Sequence, residues 1–446
     1  MTDPADALFV PPEMAAIWSG ESRVRGMLAF EAALARAEAH AGVIPAEAAT
    51  AIEAACDVDA FDVPALYREV AVAGTPAIPL VRMLTARVED EARGYVHWGA
   101  TSQDAIDTAL VLQMRAGLDL LVERLFTIGE ICAQLAVRHR DTVMPGRTLL
   151  QEALPITFGL KAARWLALVT RQIERLGEAR ERISVVQLGG AAGTLASLGD
   201  AGPRVTDLLA EELGLDVPEL PWHTERDRVA DVAAALGILA GAMAKIAGDI
   251  VLLAQSEVRE VAEAAGPGKG GSSAMPQKRN PVNATMALAG ARLAIGVVPV
   301  VLGAMAQEHE RAAGGWQAEW QALPDLFRFT AGAVERVRDA LDGLEVRTER
   351  MAANLARSGG QILAEALTMA LAPHLGRHEA FSITREVSER AAKTGEDVRR
   401  VALGDERVCA VLSPEQVNDV FDPSHYLGSA SVYVERALAH FYALGS

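Results

Sequence analysis

The stretch GGSSAMPQKRNPV, residues 270–282, sets two serines, a lysine, an arginine and an asparagine among two glycines and two prolines. Glycine and proline both oppose helix, so these polar groups belong to a loop between flanking helical stretches. A hydroxyl, a fixed cation and an amide brought together there suit an anionic small molecule. The preceding AAGPGKG, residues 264–270, extends the break, and its glycines and Pro267 predict a mobile loop. This is not a phosphate-binding P-loop, because Gly270 follows the lysine and no strand signal precedes it.

Two more loops interrupt the helical pattern. In HWGATSQDAIDTAL, residues 97–110, Thr101 or Ser102 is placed to cap a long helix and to offer hydroxyls and N–H groups to an anion. A plain N-cap is the competing reading of that stretch. In MPGRTLLQEALPITFG, residues 144–159, polar residues lead to a helix expected to start just after Pro155.

Long helices must position these loops. Leu110, Met114, Leu118, Leu121, Leu125, Ile128, Cys132 and Leu135 recur in threes and fours, one face of a helix. Val229, Val232, Leu236, Leu239, Met243, Ile246, Ile250 and Leu253 form a second ladder, in heptads, with alanine and glycine filling much of the rest. A third runs through Leu160, Leu166, Val169, Ile173 and Leu176, and a fourth from Pro281 through Met286 and Leu293 toward Val301. Strand signals are nearly absent, so an all-α bundle is predicted. The Val229–Leu253 ladder is apolar over more turns than one chain is expected to cover, which predicts shared helices in a tetramer.

Composition narrows the partners. The 446 residues are 50% hydrophobic, enough for a large core in two or three domains. A net charge of −17 argues against nucleic acid and anionic membrane as partners. No uncharged apolar run of about 18 residues occurs, and the first residues lack the pattern of a signal peptide, so a cytoplasmic protein is expected. Cys56, Cys132 and Cys409 are odd in number and widely spaced, which predicts three buried thiols and no disulfide.

GSSAMPQKRNP resembles the GSSxMPxKxNP signature of the fumarase/aspartase superfamily, and the two other loops resemble its other two motif regions in the right order. Within that superfamily, GRTLLQEALPITFGLKAARWL, QEHERAAGGWQAEWQALPDLFR and DPSHYLGSASVYVERAL are similar to the bacterial 3-carboxy-cis,cis-muconate cycloisomerases. The resemblance implies a three-domain, all-α fold with a long central bundle, divided at 1–103, 104–355 and 356–446. It also implies a homotetramer sharing a twenty-helix core, each active site built from three subunits, and no metal or organic cofactor. The shared chemistry is proton transfer at the carbon beside a carboxylate, through an aci-carboxylate intermediate.

By the same resemblance Ser272 moves that proton, with Ser273 the alternative, and Lys278 and Asn280 hold the extra negative charge. Thr101, Ser102, Gln151 and Arg311 match positions that contact substrate, and His97 and Arg147 are further candidates.

Two positions depart from the wider pattern. Where many members read T-H-L-Q, this chain has Leu149, which cannot transfer a proton to a leaving amine or alkoxide. Lactonisation escapes that need, because its attacking or leaving group is a carboxylate with a pKa of about 4. Adenylosuccinate lyases place a serine and arginines shortly after the position of Arg311, whereas Trp316, Gln317, Glu319 and Trp320 follow here, which argues against a nucleotide phosphate. The leading expectation is therefore conversion of 3-carboxy-cis,cis-muconate to 4-carboxymuconolactone. A lyase releasing fumarate from adenylosuccinate or argininosuccinate, and a non-enzymatic structural protein of the same fold, are the alternatives.

Overall fold

The computed structural model describes residues 6–264, 266, 270–271, 274–275 and 277–445. Four of the seven AAGPGKG positions, and both Ser272 and Ser273, lie outside the described residues. The principal elements are α1 (Gly20–His40), α2 (Ser102–Arg138), β1 (Val143–Thr148), β2 (Gln151–Thr157), α3 (Phe158–Ile183), α4 (Asp227–Ala254), α5 (Val282–Gly303) and α6 (Gly315–Leu341). At 1.5 Å per residue the 37-residue α2 spans about 55 Å. The chain divides into two compact units: one comprises Met1–Arg124, Gln172–Ala244 and Met286–Glu335, the other Leu125–Arg171, Lys245–Thr285 and Arg336–Ser446.

The apolar ladders explain the helices. Every residue of the Leu110–Leu135 and Val229–Leu253 ladders is buried, as are Leu160, Leu166, Val169, Ile173 and Leu176 on α3. Each fully buried side chain of this size contributes about 2 kcal/mol. Within the first unit small residues let helices close up: a Cβ at Gly26 of α1 would lie 2.9 Å from that of Ala109 on α2, and one at Gly237 would lie 2.8 Å from Val298. In the second unit the edge-to-face pair Phe158–Trp165 is anchored by the Trp165 indole, which donates to Asp249 at 2.8 Å. The C-terminal helices Ala364–Leu375 and Arg377–Thr394 pack on a separate cluster around Leu371, Ile383, Val387 and Val401.

The expected mostly helical fold is found, with few strands, and three other expectations need correction. Strands are present: β1 and β2 form an antiparallel hairpin in the second unit, with an irregularity between Pro145 and Arg147, and Val261–Ala262 pairs with Glu345–Val346. Pro155 therefore lies in β2, opposite Pro145, where a two-stranded ribbon tolerates the missing N–H. Helix α3 starts later, at Phe158, and the Thr157 hydroxyl caps it by accepting from the Leu160 N–H at 3.0 Å.

Of the three cysteines only Cys132 is buried; Cys56 is half-buried and Cys409 exposed, and all three are free. Finally, the Val229–Leu253 ladder is covered by its own chain, so it does not present an uncovered face. That face belongs to α5, which turns Ala284, Ala287, Ala291 and Ala294 inward and leaves Leu293, Ile295, Val300 and Leu302 exposed. Both α4 and α5 are long and apolar enough to cross a membrane by length and composition alone, but Asp231, Lys245 and Asp249 interrupt the first and Arg292 the second.

Candidate active site

In the first unit one buried carboxylate organises the N-terminus of α2. Asp104, the third residue of the helix, accepts from the Thr101 N–H at 2.9 Å, the reciprocal half of a capping box. It also accepts from the N–H groups of Gly189 and Gly190, both at 3.0 Å, and from His223 Nε2 at 2.7 Å. Four donors on one carboxylate join the segments around residues 101, 190 and 223 into a rigid cradle. Gly190 has a positive φ of 65°, and a Cβ there would come within 3.0 Å of the Gly99 carbonyl, so close approach of the two loops depends on glycine.

Because Asp104 does the capping, the Thr101 hydroxyl is left for another partner. Arg311 supplies it, donating from Nη1 to Thr101 Oγ1 at 3.3 Å and from Nη2 to the Ala191 carbonyl at 3.0 Å. Ser102 opens the helix, half-buried beside Thr101. His97 lies on the same loop with φ at 57°, and its Nδ1 is 2.6 Å from a carboxylate oxygen of the buried Glu31. A left-handed conformation at a bulky residue marks a constrained position.

Beneath this cradle Arg226 is fully buried between two acids, with Nη1 2.7 Å from Asp107 and Nε 3.1 Å from Glu319. Burial opposes the ionised form of Glu319 and raises its pKa, with Asp107 adding to the rise and Arg226 working against it. Trp316 donates its indole N–H to Asp107 at 2.9 Å. Trp316 and Glu319, two of the residues that replace the phosphate-holding pattern of the nucleotide lyases, are thus part of a packed ionic core.

In the second unit the hairpin carries Arg147, Leu149 and Gln151. Thr148 pairs with Gln151, so Leu149 and Leu150 form a two-residue turn, both with positive φ, at 50° and 65°. Asparagine and glycine are the usual occupants of such turns; here two leucines stand there, with Leu149 96% exposed. Gln151 is exposed beside them.

Arg147, expected as a substrate contact, is engaged elsewhere. It makes a bidentate pair with the buried Glu260 at 2.7 and 2.9 Å, and Glu260 also accepts from Asn354 at 2.7 Å. That geometry makes Arg147 an anchor of the hairpin, its charge already neutralised.

The signature loop is closed at its base. The Asn280 N–H donates to the Gly270 carbonyl at 2.9 Å, and Gly270 has φ at 67° with room for no Cβ, which would lie 2.8 Å from the Asn280 oxygen. Arg279 reaches outward to Glu345 at 2.8 Å and to the Glu263 carbonyl, while the Glu263 carboxylate accepts from the N–H groups of Asn283 and Ala284 at the start of α5. Lys278 is exposed, and among the described residues its ammonium has no partner.

Within the units, then, Thr101 meets Arg311 and Lys278 shares one short loop with Asn280. Sequence reasoning missed Asp104, His223, Arg226, Glu31 and Glu260. For Glu31 the one local signal is an acid on an otherwise apolar helix face; Asp104 sits in a polar first turn, and His223, Arg226 and Glu260 lie outside the helices.

A family model described as lyase matches residues 9–296, and one described as adenylosuccinate lyase C-terminus matches residues 360–437. The chain belongs to the fumarase/aspartase superfamily of lyases. Over 443 residues it is 49% identical to the 3-carboxy-cis,cis-muconate cycloisomerase of Pseudomonas aeruginosa, covering 99% of this chain and 96% of that one. The crystal structure of 3-carboxy-cis,cis-muconate lactonizing enzyme from Pseudomonas putida matches with a TM-score of 0.94 at 46% identity, over 100% of both chains. The crystal structure of fumarate lyase from Mesorhizobium sp. BNC1 matches with a TM-score of 0.91 at 41% identity, over 97% of this chain and 98% of that one. These likenesses carry the mostly helical fumarase/aspartase-type fold across the whole chain.

Proposed function

We propose that this fumarase/aspartase-family chain is a cofactor-independent cycloisomerase that converts 3-carboxy-cis,cis-muconate to 4-carboxymuconolactone in protocatechuate breakdown, the β-ketoadipate route. The observation that carries this reading is the 49% identity to the Pseudomonas aeruginosa cycloisomerase over nearly the full length of both chains. Leu149 at the hairpin tip supports it, because an attacking carboxylate has no proton to lose and needs no base at that position.

In this mechanism one carboxylate of the substrate adds to the conjugated system, and negative charge accumulates on the neighbouring carboxylate as an aci-carboxylate. Lys278 and Asn280 stabilise that charge. Ser272 delivers a proton to carbon, with Ser273 as the alternative donor. Thr101, Ser102, Gln151, Arg311 and His97 bind the remaining carboxylates, and Arg147 fixes the hairpin through Glu260. The loop closes over substrate to exclude water.

The enzyme works as a soluble, cytoplasmic homotetramer whose active sites each draw on three subunits. The exposed apolar face of α5 supports such an assembly. Domains at 1–103, 104–355 and 356–446 complete the proposed organisation. A monomeric mass in light scattering at micromolar concentration would contradict the assembly.

The deciding experiment is an ultraviolet assay of purified protein with 3-carboxy-cis,cis-muconate in the presence of EDTA. Loss of the diene absorbance with formation of lactone is expected. A second reading, a fumarate-releasing lyase, is favoured by the likeness to the Mesorhizobium fumarate lyase. Release of fumarate from adenylosuccinate or argininosuccinate, without muconate turnover, would establish it instead.

A further inference from the structure

We propose that Glu31 is a positioning residue: its buried carboxylate holds His97 as an imidazolium, aimed through Nδ1, with the Nε2–H left for a carboxylate of the substrate. The inference rests on the proposed tricarboxylate reaction for its consequence, and on geometry alone for its existence.

Glu31 lies in the middle of α1, 1% exposed, on a face whose neighbours are Met27, Phe30 and Leu34. A carboxylate placed there is unfavourable unless a partner takes up its charge. His97 is that partner, its Nδ1 at 2.6 Å. The other Glu31 oxygen is buried without a hydrogen-bond partner, so His97 is the only described residue bonded to the side chain. Among the described residues none is bonded to His97 Nε2. The imidazole is thus gripped at one nitrogen and open at the other, on the loop that also carries Thr101.

The charged and titratable surroundings favour the same proton distribution. On α1, Glu38 is buried too, and burial first, then the charge of Glu31, pushes its carboxyl up to about 9, so near neutral pH it is uncharged. Arg36 of the same helix is taken by Glu53 at 2.6 Å and by Glu212 at 2.8 Å, and His40 lies 4.0 Å from Glu212. Burial pushes the Cys56 thiol, at the end of the helix Ala46–Ala55, up to about 12, and the charges of Glu31 and Glu53 add to that. From α2 only Asp104 bears on His97. Burial disfavours the charged imidazole, but the charge and hydrogen bond of Glu31, with the charge of Asp104, more than offset it, and the His97 pKa is raised. His97 therefore stays protonated to higher pH than a free histidine.

Neutralising Glu31 reverses this. In Glu31→Gln the His97 titration midpoint, followed by NMR of the full chain with 13C-labelled histidine and assigned with His97→Gln, is expected to fall by at least one pH unit. With 3-carboxy-cis,cis-muconate, kcat/KM is expected to drop about tenfold at pH 8 and far less at pH 6, mainly through KM. Glu31→Asp should recover most of the alkaline activity. In a His97→Gln background the Glu31→Gln change should have no further effect on kcat/KM.

An unchanged His97 midpoint in Glu31→Gln, or a loss of equal size at both pH values, would overturn the assignment. So would a full additional loss in the His97→Gln background. The NMR titration needs no turnover, so a chain inactive toward muconate would defeat the proposed reaction without touching the Glu31–His97 pair.

Discussion

The Thr101–Arg311 cradle and the 270–282 loop both offer hydroxyls and cations to an anion, but they are held in opposite ways. Around Thr101 the central polar groups are tied down: Asp104 takes four donors, and Arg226 is enclosed by Asp107 and Glu319. On the loop the described residues fix the base, through Asn280 to Gly270 and Arg279 to Glu345, while Lys278 stands exposed. The contrast separates two jobs. In the proposed mechanism the preformed cradle binds charge already present on the substrate, and the loop cation acts where charge develops.

This contrast is open to attack at several points. Arg226→Ala, on the fixed side, is expected to destabilise the protein by about 3–5 kcal/mol, because it leaves two buried acids without their cation; urea unfolding measures it. Stability within 1 kcal/mol of the parent, on the order of an exposed pair, would show that the ionic core is not what holds the cradle.

Lys278→Ala, on the open side, is expected to leave the unfolding midpoint unchanged and to lower kcat by roughly a hundredfold to a thousandfold. Near-normal turnover would place the developing charge elsewhere. Ser272→Ala should lower kcat by at least about a hundredfold while substrate still binds. In D2O the lactone should carry one non-exchanged deuterium alpha to a carboxylate, and its absence would remove the proton-donor role.

A smaller effect belongs to pH. Glu38 holds its proton up to about 9 in the folded chain but only to its ordinary value of 4.5 when unfolded. Its contribution to stability is therefore intact below 4.5 and declines as pH rises from there to about 9. Glu38→Gln should flatten that decline and raise stability at pH 8 by about 1–3 kcal/mol; denaturation at pH 5 and pH 8 tests the slope. The smallest change is expected from Leu149→His, which should give no gain in lactonisation, since that chemistry asks for no acid or base at the turn. A clear rise in kcat would mean that proton transfer at the attacking group limits the reaction after all.

How much of this was visible in the chain depends on the range of the interaction. The buried ladders of α2, α3 and α4 were legible because helical period and burial are local properties, repeated over many turns. The hairpin was not, since its strands carry Pro145 and Pro155 and its turn is built from two leucines, where turn chemistry predicts asparagine and glycine. The motif residues Thr101, Lys278, Asn280 and Arg311 could be picked out by type and spacing. Their supports could not: His97 finds Glu31 across 66 positions, His223 finds Asp104 across 119, and Arg147 finds Glu260 across 113. Only the acids at Glu31 and Glu38, seven apart within AFEAALARAEAH, break the apolar face enough to raise the question in one dimension.

The inverted face of α5 bears on how the protein comes into being. A helix that hides its alanines and displays leucine, isoleucine and valine emerges from the ribosome with its stickiest surface outward. For as long as that surface is uncovered, self-association through the wrong contacts competes with correct folding, and the competition grows with chain concentration. If the proposed tetramer forms, recovery from denaturant should pass through an optimum: too dilute and subunits meet slowly, too concentrated and they meet badly. Heterologous expression faces the same window, so slower synthesis at lower temperature is the rational first adjustment for yield.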